Sequence, residues 1–354
     1  MSGQFAGGIS TQGGSASNAT ALLIARNTLY PDTKTHGNQN HRFAIFTSAH
    51  SHYSIEKAAQ MVGFGSNAVK LVPADSAGCM ISSELARLVQ KSLEDGETPL
   101  FINATAGTTV LGAFDPIVEI SQISKRHQLW LHVDGSWGGS TIFSKSHNHK
   151  LVGSHVADSL AINPHKMLGV PVTCSFLLGP DLRVFKAANT LPAAYLFHDI
   201  DTVQNADQQP GMWDIADLTL QCGRRGDSLK LALSWIYYGA SGFEAQIDNA
   251  FRIATYLASL VVEHQDLVLV SSYPPPCLQV CFYFALNGRL QSQEDNSRTT
   301  KRVVKGLVHR GFMIDYAPGH SGVMFRAVIN TQTQESTAKG LIVAILEESR
   351  TQTS

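Results

Sequence analysis

Two residues in this chain are poorly explained by packing alone: Asp134, in LWLHVDGSWGG, and Lys166, in NPHKML. Asp134 ends the apolar run 129–133. Lys166 sits in a turn between the apolar segments 160–162 and 167–172, with a further apolar run at 174–178. Such runs read as short buried strands, and a carboxylate or ammonium beside one must be paired or shift its pKa. A desolvated lysine there could act as an amine nucleophile and form a Schiff base with a carbonyl compound. Taken singly, each has a plainer reading. Lysines are mostly solvated, and an aspartate after a strand often caps a helix or accepts backbone hydrogen bonds.

The elements that must position these groups alternate in type. A Gly-rich segment at 7–18 runs into a helix at 19–26, with Ser17 or Asn18 as the expected N-cap. Free N–H groups there could hold a phosphate, although a flexible terminus before a capped helix explains the stretch as well. Strands are expected at 43–46, 69–72 and 100–104, and helices at 54–61 and 82–93. Asp115-Pro116 reads as an N-cap and a first helical proline before Ile117, Ile120 and Ile123, with Lys125, Arg126 and His127 in the last turn. This alternation predicts an α/β fold: a mostly parallel sheet with helices on both faces, binding its ligand at the carboxyl ends of the strands. Asp134 and the turns carrying His52 and Thr109 all follow strands in that way.

From 182 to 217 the periodicity fades into a polar stretch that reads as a lid or loop excursion. Helices return at 229–238 and 243–263. Strands at 267–270 and 278–285 follow, then a solvated loop at 287–297, a helix at 299–309, strands at 312–316 and 323–329, and a helix at 337–348. The division is placed near Gly239, giving a large domain at 1–238 and a smaller α+β C-terminal domain at 239–354. At 354 residues the chain exceeds the roughly 250–300 at which single cores stop growing.

Composition narrows the function. A formal net charge of -1, with 16% charged residues, offers no basic footprint for nucleic acid or an anionic membrane. No apolar run is long enough for a membrane span, and the N-terminal stretch lacks the basic and apolar regions of a secretory signal, so a cytoplasmic location is expected. The five cysteines have no paired spacing and read as reduced packing residues. His50-x-His52 and His147-x-His149 offer imidazoles, but no carboxylate or thiol completes a ligand set, and no metal site is expected.

Together, Asp134 and Lys166 match a pyridoxal phosphate site, in which a carboxylate keeps the pyridine nitrogen protonated so that the ring works as an electron sink. The stretches TSAHSHYSIEKA, GTTVLGAFDPI, LWLHVDGSWGGS, NPHKM and FRAVIN, in that order, make the chain resemble the group II pyridoxal-phosphate amino-acid decarboxylases, in particular those acting on cysteine sulfinate and glutamate. The resemblance implies the fold type I architecture of the aspartate aminotransferases, an active site at a homodimer interface, and a small, acidic L-amino acid as substrate. It makes Lys166 the Schiff-base lysine, Asp134 the partner of the ring nitrogen, and His52 the ring stacked on the cofactor, able to assist proton transfer. Ala16, Ser17, Ser159 and His165 become the phosphate-holding set with Asn18 beside them, and Thr109 lies near the cofactor. Arg326 would pair with the substrate carboxylate through its planar fork. A strand arginine bridged to an exposed acid is the plainer alternative.

Three departures accompany the resemblance. Enzymes of this family carry well over a hundred residues before the Gly-rich turn, whereas Met1 lies almost at it, so exposed apolar surface is expected. The usual Asp-Ala-Ala is Asp134-Gly135-Ser136, placing a hydroxyl where a methyl is normal. The loop between Tyr195 and Trp213 contains no tyrosine, the residue that protonates the product carbon in resembling enzymes. These departures sustain two other readings: an impaired cofactor-binding relative that acts as a partner, or a carbonyl-forming enzyme.

Overall fold

The computed structural model describes residues 3–191 and 215–351. Seven strands form the first sheet: β1 (Gly7–Thr11), β2 (Phe43–Ser48), β3 (Val69–Val72), β4 (Thr98–Thr105), β5 (Trp130–Gly135), β6 (Ser159–Ile162) and β7 (Ser175–Gly179). Their spatial order is β1-β7-β6-β5-β4-β2-β3. From β3 to β6 the neighbours pair in parallel, while β7 runs antiparallel to both β6 and β1. Every residue of β2 and β5 is buried, because helices cover both faces.

One face carries α1 (Gly14–Leu29), the single turn α2 (Thr33–His36) and α3 (Ser54–Met61); Leu22, Ala25, Ile55 and Ala59 pack on Phe43, Ile45 and Phe101. The other carries α4 (Ser82–Glu94) and α5 (Ile117–His127), whose Leu85, Val89, Ile117 and Ile120 close over Phe46, Ile102 and Leu131. Each such fully buried aliphatic or phenyl side chain contributes about 1.5–3 kcal/mol. The short α6 (Pro164–Met167) follows β6, and α7 (Leu182–Asn189) follows β7.

The chain then enters α8 (Ser228–Glu263), which breaks at Gly239, where φ is 66° and ψ 177°. Only glycine reaches that conformation without strain. Beyond it lies a four-stranded antiparallel sheet in the order β10-β11-β9-β8, built from β8 (Leu267–Leu269), β9 (Gln279–Phe284), β10 (Asp315–Gly319) and β11 (Gly322–Val328). The second half of α8 packs on this sheet with α9 (Gln293–His309) and α10 (Glu335–Arg350). Met167, Leu168 and Cys174 reach into the same core, so the lysine turn is wedged between the two sheets.

Several local expectations need correction. The segment GGIST is a strand, not a flexible lead, and β7 supplies its partner. Helix α1 starts at Gly14 behind Gly13, so Ser17 and Asn18 lie inside it and cap nothing. Asp115 does not cap α5; its carboxylate accepts the Met80 and Thr105 N–H groups, each at 2.7 Å, and ties two loops together. Part of the expected loop at 287–297 is the first turn of α9, capped by Ser292. All five cysteines are free, and Cys222 is exposed rather than packed. Among the described residues no helix is long and apolar enough to cross a membrane. The first half of α8 nevertheless leaves Leu229, Leu233, Ile236 and Tyr237 in solvent, the last two more than 80% exposed.

Candidate active site

Five strands deliver their carboxyl ends to one rim. Beyond β1 come Gly14 and Ser15; beyond β2, His52 and Ser54. Thr105, at the end of β4, is followed by Gly107 and Thr109, β5 ends in Asp134 and Ser136, and β6 leads to Asn163, His165 and Lys166. These residues line a single cavity of about 270 Å³. Close packing at its floor depends on glycine. A β-carbon on Gly14 would lie 2.4 Å from Ser136 Oγ and 2.8 Å from Asn163 Nδ2, so only glycine lets the start of α1 approach the β5 and β6 ends.

Asp134 is 4% exposed, and both of its oxygens accept hydrogen bonds: Oδ1 from the Ser136 N–H at 3.0 Å and Oδ2 from Asn18 Nδ2 at 2.9 Å. Burial opposes ionisation, but these donors and the nearby His132 and Lys166 outweigh it and hold the carboxyl below its ordinary range. Behind it, His132 is fully buried and contacts Ser159 Oγ at 2.8 Å and Asn18 Oδ1 at 3.0 Å. Burial pushes its imidazole down to about 4.

Lys166 lies in α6, which opens with Asn163 and a proline at its first position. Its Nζ stands 4.8 Å from the centroid of the Trp137 ring. Burial lowers its pKa; Asp134 works against that and Arg326 adds to it. The amine is therefore unprotonated at lower pH than a solvated lysine. His52 receives the Ser54 N–H on Nδ1 at 3.2 Å, and burial lowers its pKa as well, opposed by Asp134. The Nδ1 of His165 is fixed on the Cys174 carbonyl at 2.7 Å, leaving Nε2 for the cavity.

Of the residues expected to act, the structure brings Asn18, His52, Thr109, Asp134, Ser136, His165 and Lys166 to this cavity. Ala16, Ser17, Ser159 and Arg326 lie off its wall. The N–H groups of Ala16 and Ser17 both turn back to the Gly13 carbonyl, and the Ser17 hydroxyl is spent on Thr11 Oγ1 at 2.6 Å. Gly14 and Ser15 stand at the rim instead, where first-turn N–H groups have no intrahelical partner. The Ser159 hydroxyl faces Trp130 and His132 rather than a phosphate. Arg326, on β11, donates Nε to the Thr109 carbonyl at 2.7 Å and so holds the loop beside the cavity, while Nη1 lies 3.6 Å from the exposed Asp315. The expected polar lid and its missing tyrosine fall largely on residues 192–214, outside the described residues.

Sequence reasoning missed Trp137, Asn163 and His132. The alternation Trp130, His132, Asp134 along one strand, with its polar members on a single face, was the available signal. Among the described residues no three His, Cys, Asp or Glu side chains gather as a metal-ligand set, and His147 stacks on Phe251 at 3.7 Å between centroids.

The donor set fits pyridoxal phosphate. Ser136 Oγ, Thr105 Oγ1 and Asn163 Oδ1 line the cavity buried and without a protein partner, a costly state for an apolar pocket and a natural one for a pocket that binds a polar ring. An amine stands ready for a carbonyl, an ionised carboxylate for a ring nitrogen, and a helix start with an imidazole for a phosphate.

Comparison with known proteins agrees. The profile described as pyridoxal-dependent decarboxylase conserved domain matches residues 1–285. The L-aspartate decarboxylase dtxS4 of Metarhizium robertsii is 54% identical over 337 residues, which cover 95% of this chain and 66% of that protein. Human cysteine sulfinic acid decarboxylase is 41% identical over 336 residues, 91% of this chain and 66% of that one. The crystal structure of mouse CSAD in apo form superposes with a TM-score of 0.89 at 36% identity, covering 98% of this chain and 72% of the other. The chain thus spans about two thirds of the length of these curated relatives. The large mostly parallel sheet with a smaller antiparallel one is the expected fold type I arrangement.

Proposed function

Since this chain belongs to the pyridoxal-dependent decarboxylase family, we propose that it removes the α-carboxylate of a small acidic L-amino acid as CO₂, with aspartate, cysteine sulfinate and glutamate as the candidate substrates. The observation that carries this reading is the pairing, in one cavity, of the desolvated Lys166 amine with the buried, ionised Asp134 carboxylate. The names of the relatives, an aspartate and a cysteine sulfinic acid decarboxylase, support the acidic side chain.

Pyridoxal phosphate, when bound, supplies an electron sink for the pair left behind by departing CO₂. The chain's own residues do the rest. Lys166, whose burial favours the neutral amine, would hold the cofactor through its carbonyl carbon. Asp134, by keeping its own charge, would hold a proton at the ring nitrogen. His52 would stack on the ring and assist proton transfer, Ser136 would donate toward a ring oxygen, and Gly14, Ser15 and His165 would take the phosphate. Arg326, with Nη groups left over from the Thr109 contact, pairs with the substrate carboxylate.

We further read the chain as a cytoplasmic homodimer. The solvent-facing Leu229, Leu233, Ile236 and Tyr237 support a covering partner surface. The test is CO₂ release from the three candidate amino acids by purified protein supplied with pyridoxal phosphate. CO₂ release from at least one of the three is expected. Cofactor binding with no CO₂ from any of them would overturn the proposal.

A further inference from the structure

We propose that His132 is a positioning residue that fixes the Asp134 carboxylate through a one-way hydrogen-bond relay, Trp130 to Ser159 to His132 to Asn18 to Asp134. The inference rests on reading Asp134 as the partner of the cofactor's ring nitrogen and explains what holds that partner in place.

The direction of each bond follows from the one before it. An ionised carboxylate only accepts, so the Asn18 atom 2.9 Å from Asp134 Oδ2 is the amide nitrogen, whose second hydrogen goes to Ser54 Oγ at 2.9 Å. That leaves the amide oxygen of Asn18 facing His132 Nε2 at 3.0 Å, and an amide oxygen cannot donate. Nε2 therefore carries the hydrogen. With no solvent access the imidazole is neutral, so Nδ1 is bare and must accept from the Ser159 hydroxyl at 2.8 Å. Ser159 Oγ accepts in turn from the Trp130 indole N–H at 2.8 Å. In this chain every group finds a partner, and each dipole points toward the carboxylate.

The backbone explains how the relay is assembled. Trp130, His132 and Asp134 alternate along β5 and so share one sheet face, the face on which α1 brings in Asn18. Ser159 is the residue paired with His132 across the β5–β6 ladder. Phe101, on the adjacent strand, stacks on the imidazole at 5.6 Å between centroids and closes the remaining side. The relay lies behind the cavity wall, so its members other than Asn18 and Asp134 touch no ligand.

The experiment is nitrogen NMR of cofactor-free protein labelled with ¹⁵N-histidine, with His132 assigned by its loss in His132→Gln. Where that variant does not fold, Ser159→Ala assigns it, because the deleted hydroxyl contacts no other histidine. The expected result is a neutral ring with a pyrrole-type Nε2 and a pyridine-type Nδ1. In Ser159→Ala the Nδ1 signal moves, and pyridoxal phosphate, titrated by its visible band, binds roughly tenfold more weakly. A protonated Nδ1, or an affinity within twofold of wild type in Ser159→Ala, overturns the relay. The tautomer is read without cofactor, so the two readings fail separately: the expected tautomer in a protein that captures no pyridoxal phosphate supports the relay and overturns the cofactor assignment.

Discussion

Asp134 and Arg326 are the charged groups that the proposed chemistry takes from the two sheets, and they are held very differently. Asp134 is buried, accepts a hydrogen bond on each oxygen and has a chain of four polar side chains behind it. Arg326 spends one nitrogen on the Thr109 carbonyl and reaches the exposed Asp315 only at 3.6 Å. The contrast separates two tasks. A group that must keep one charge state against one ring atom is over-determined by a rigid strand, while a group that must accept and release a small anion keeps donors unspent.

Substitutions at the two ends test that contrast. Lys166→Ala, which removes the amine from the cavity altogether, is expected to lower turnover on the order of 10⁴-fold or more, measured as CO₂ release; activity within tenfold of wild type would remove Lys166 from the chemistry. Asp134→Asn retains part of the cofactor but loses turnover by roughly 10²–10³-fold, because an amide cannot hold a proton on the ring nitrogen; an unchanged rate would show that the over-determined carboxylate does nothing electronic. Arg326→Lys is smaller and different in kind. A lysine cannot donate to Thr109 and fork toward a carboxylate at once, so KM is expected to rise about tenfold with less change in kcat. A fall in kcat at constant KM would make Arg326 part of the rigid floor instead.

A separate effect is on stability. Burial holds His132 at about 4 against an ordinary 6.5, so between these values the unfolded chain binds a proton that the folded chain refuses. Stability therefore rises with pH across that window and is lost as pH falls through it, by on the order of 3 kcal/mol for this residue alone. Denaturant titrations of wild type and His132→Gln at pH 7 and pH 4.5 should show a smaller acid loss in the variant. Equal losses would mean the imidazole is not sealed.

What the sequence made legible follows the same division. The apolar strands ending in Asp134 and before Lys166, and the alternation of strand and helix, are local signals that packing cannot disguise, and they yielded the parallel sheet and its rim. Ser159 and Asp115 were misplaced because their partners are distant in the chain, and Ser17 because the helix begins before it and its hydroxyl turns back to Thr11: such a hydroxyl or carboxylate looks, in sequence, like one that faces a ligand or caps a helix. The strand Gly7–Thr11 was hidden for a related reason, since its two glycines weaken the strand pattern and β7 alone specifies it. Asn163 and Trp137 flank residues that were recognised, yet their roles depend on a turn geometry that no spacing encodes.

Pyridoxal phosphate is proposed to sit in the cavity between Asp134 and Lys166, joined to the lysine. This placement is tested most directly by reducing the protein with borohydride in the presence of the cofactor and locating the adduct by peptide mass mapping. One pyridoxyl group per chain is expected, on Lys166, formed at a pH below that needed by a solvated lysine. An adduct spread over surface lysines, with Lys166 unmodified, would contradict it.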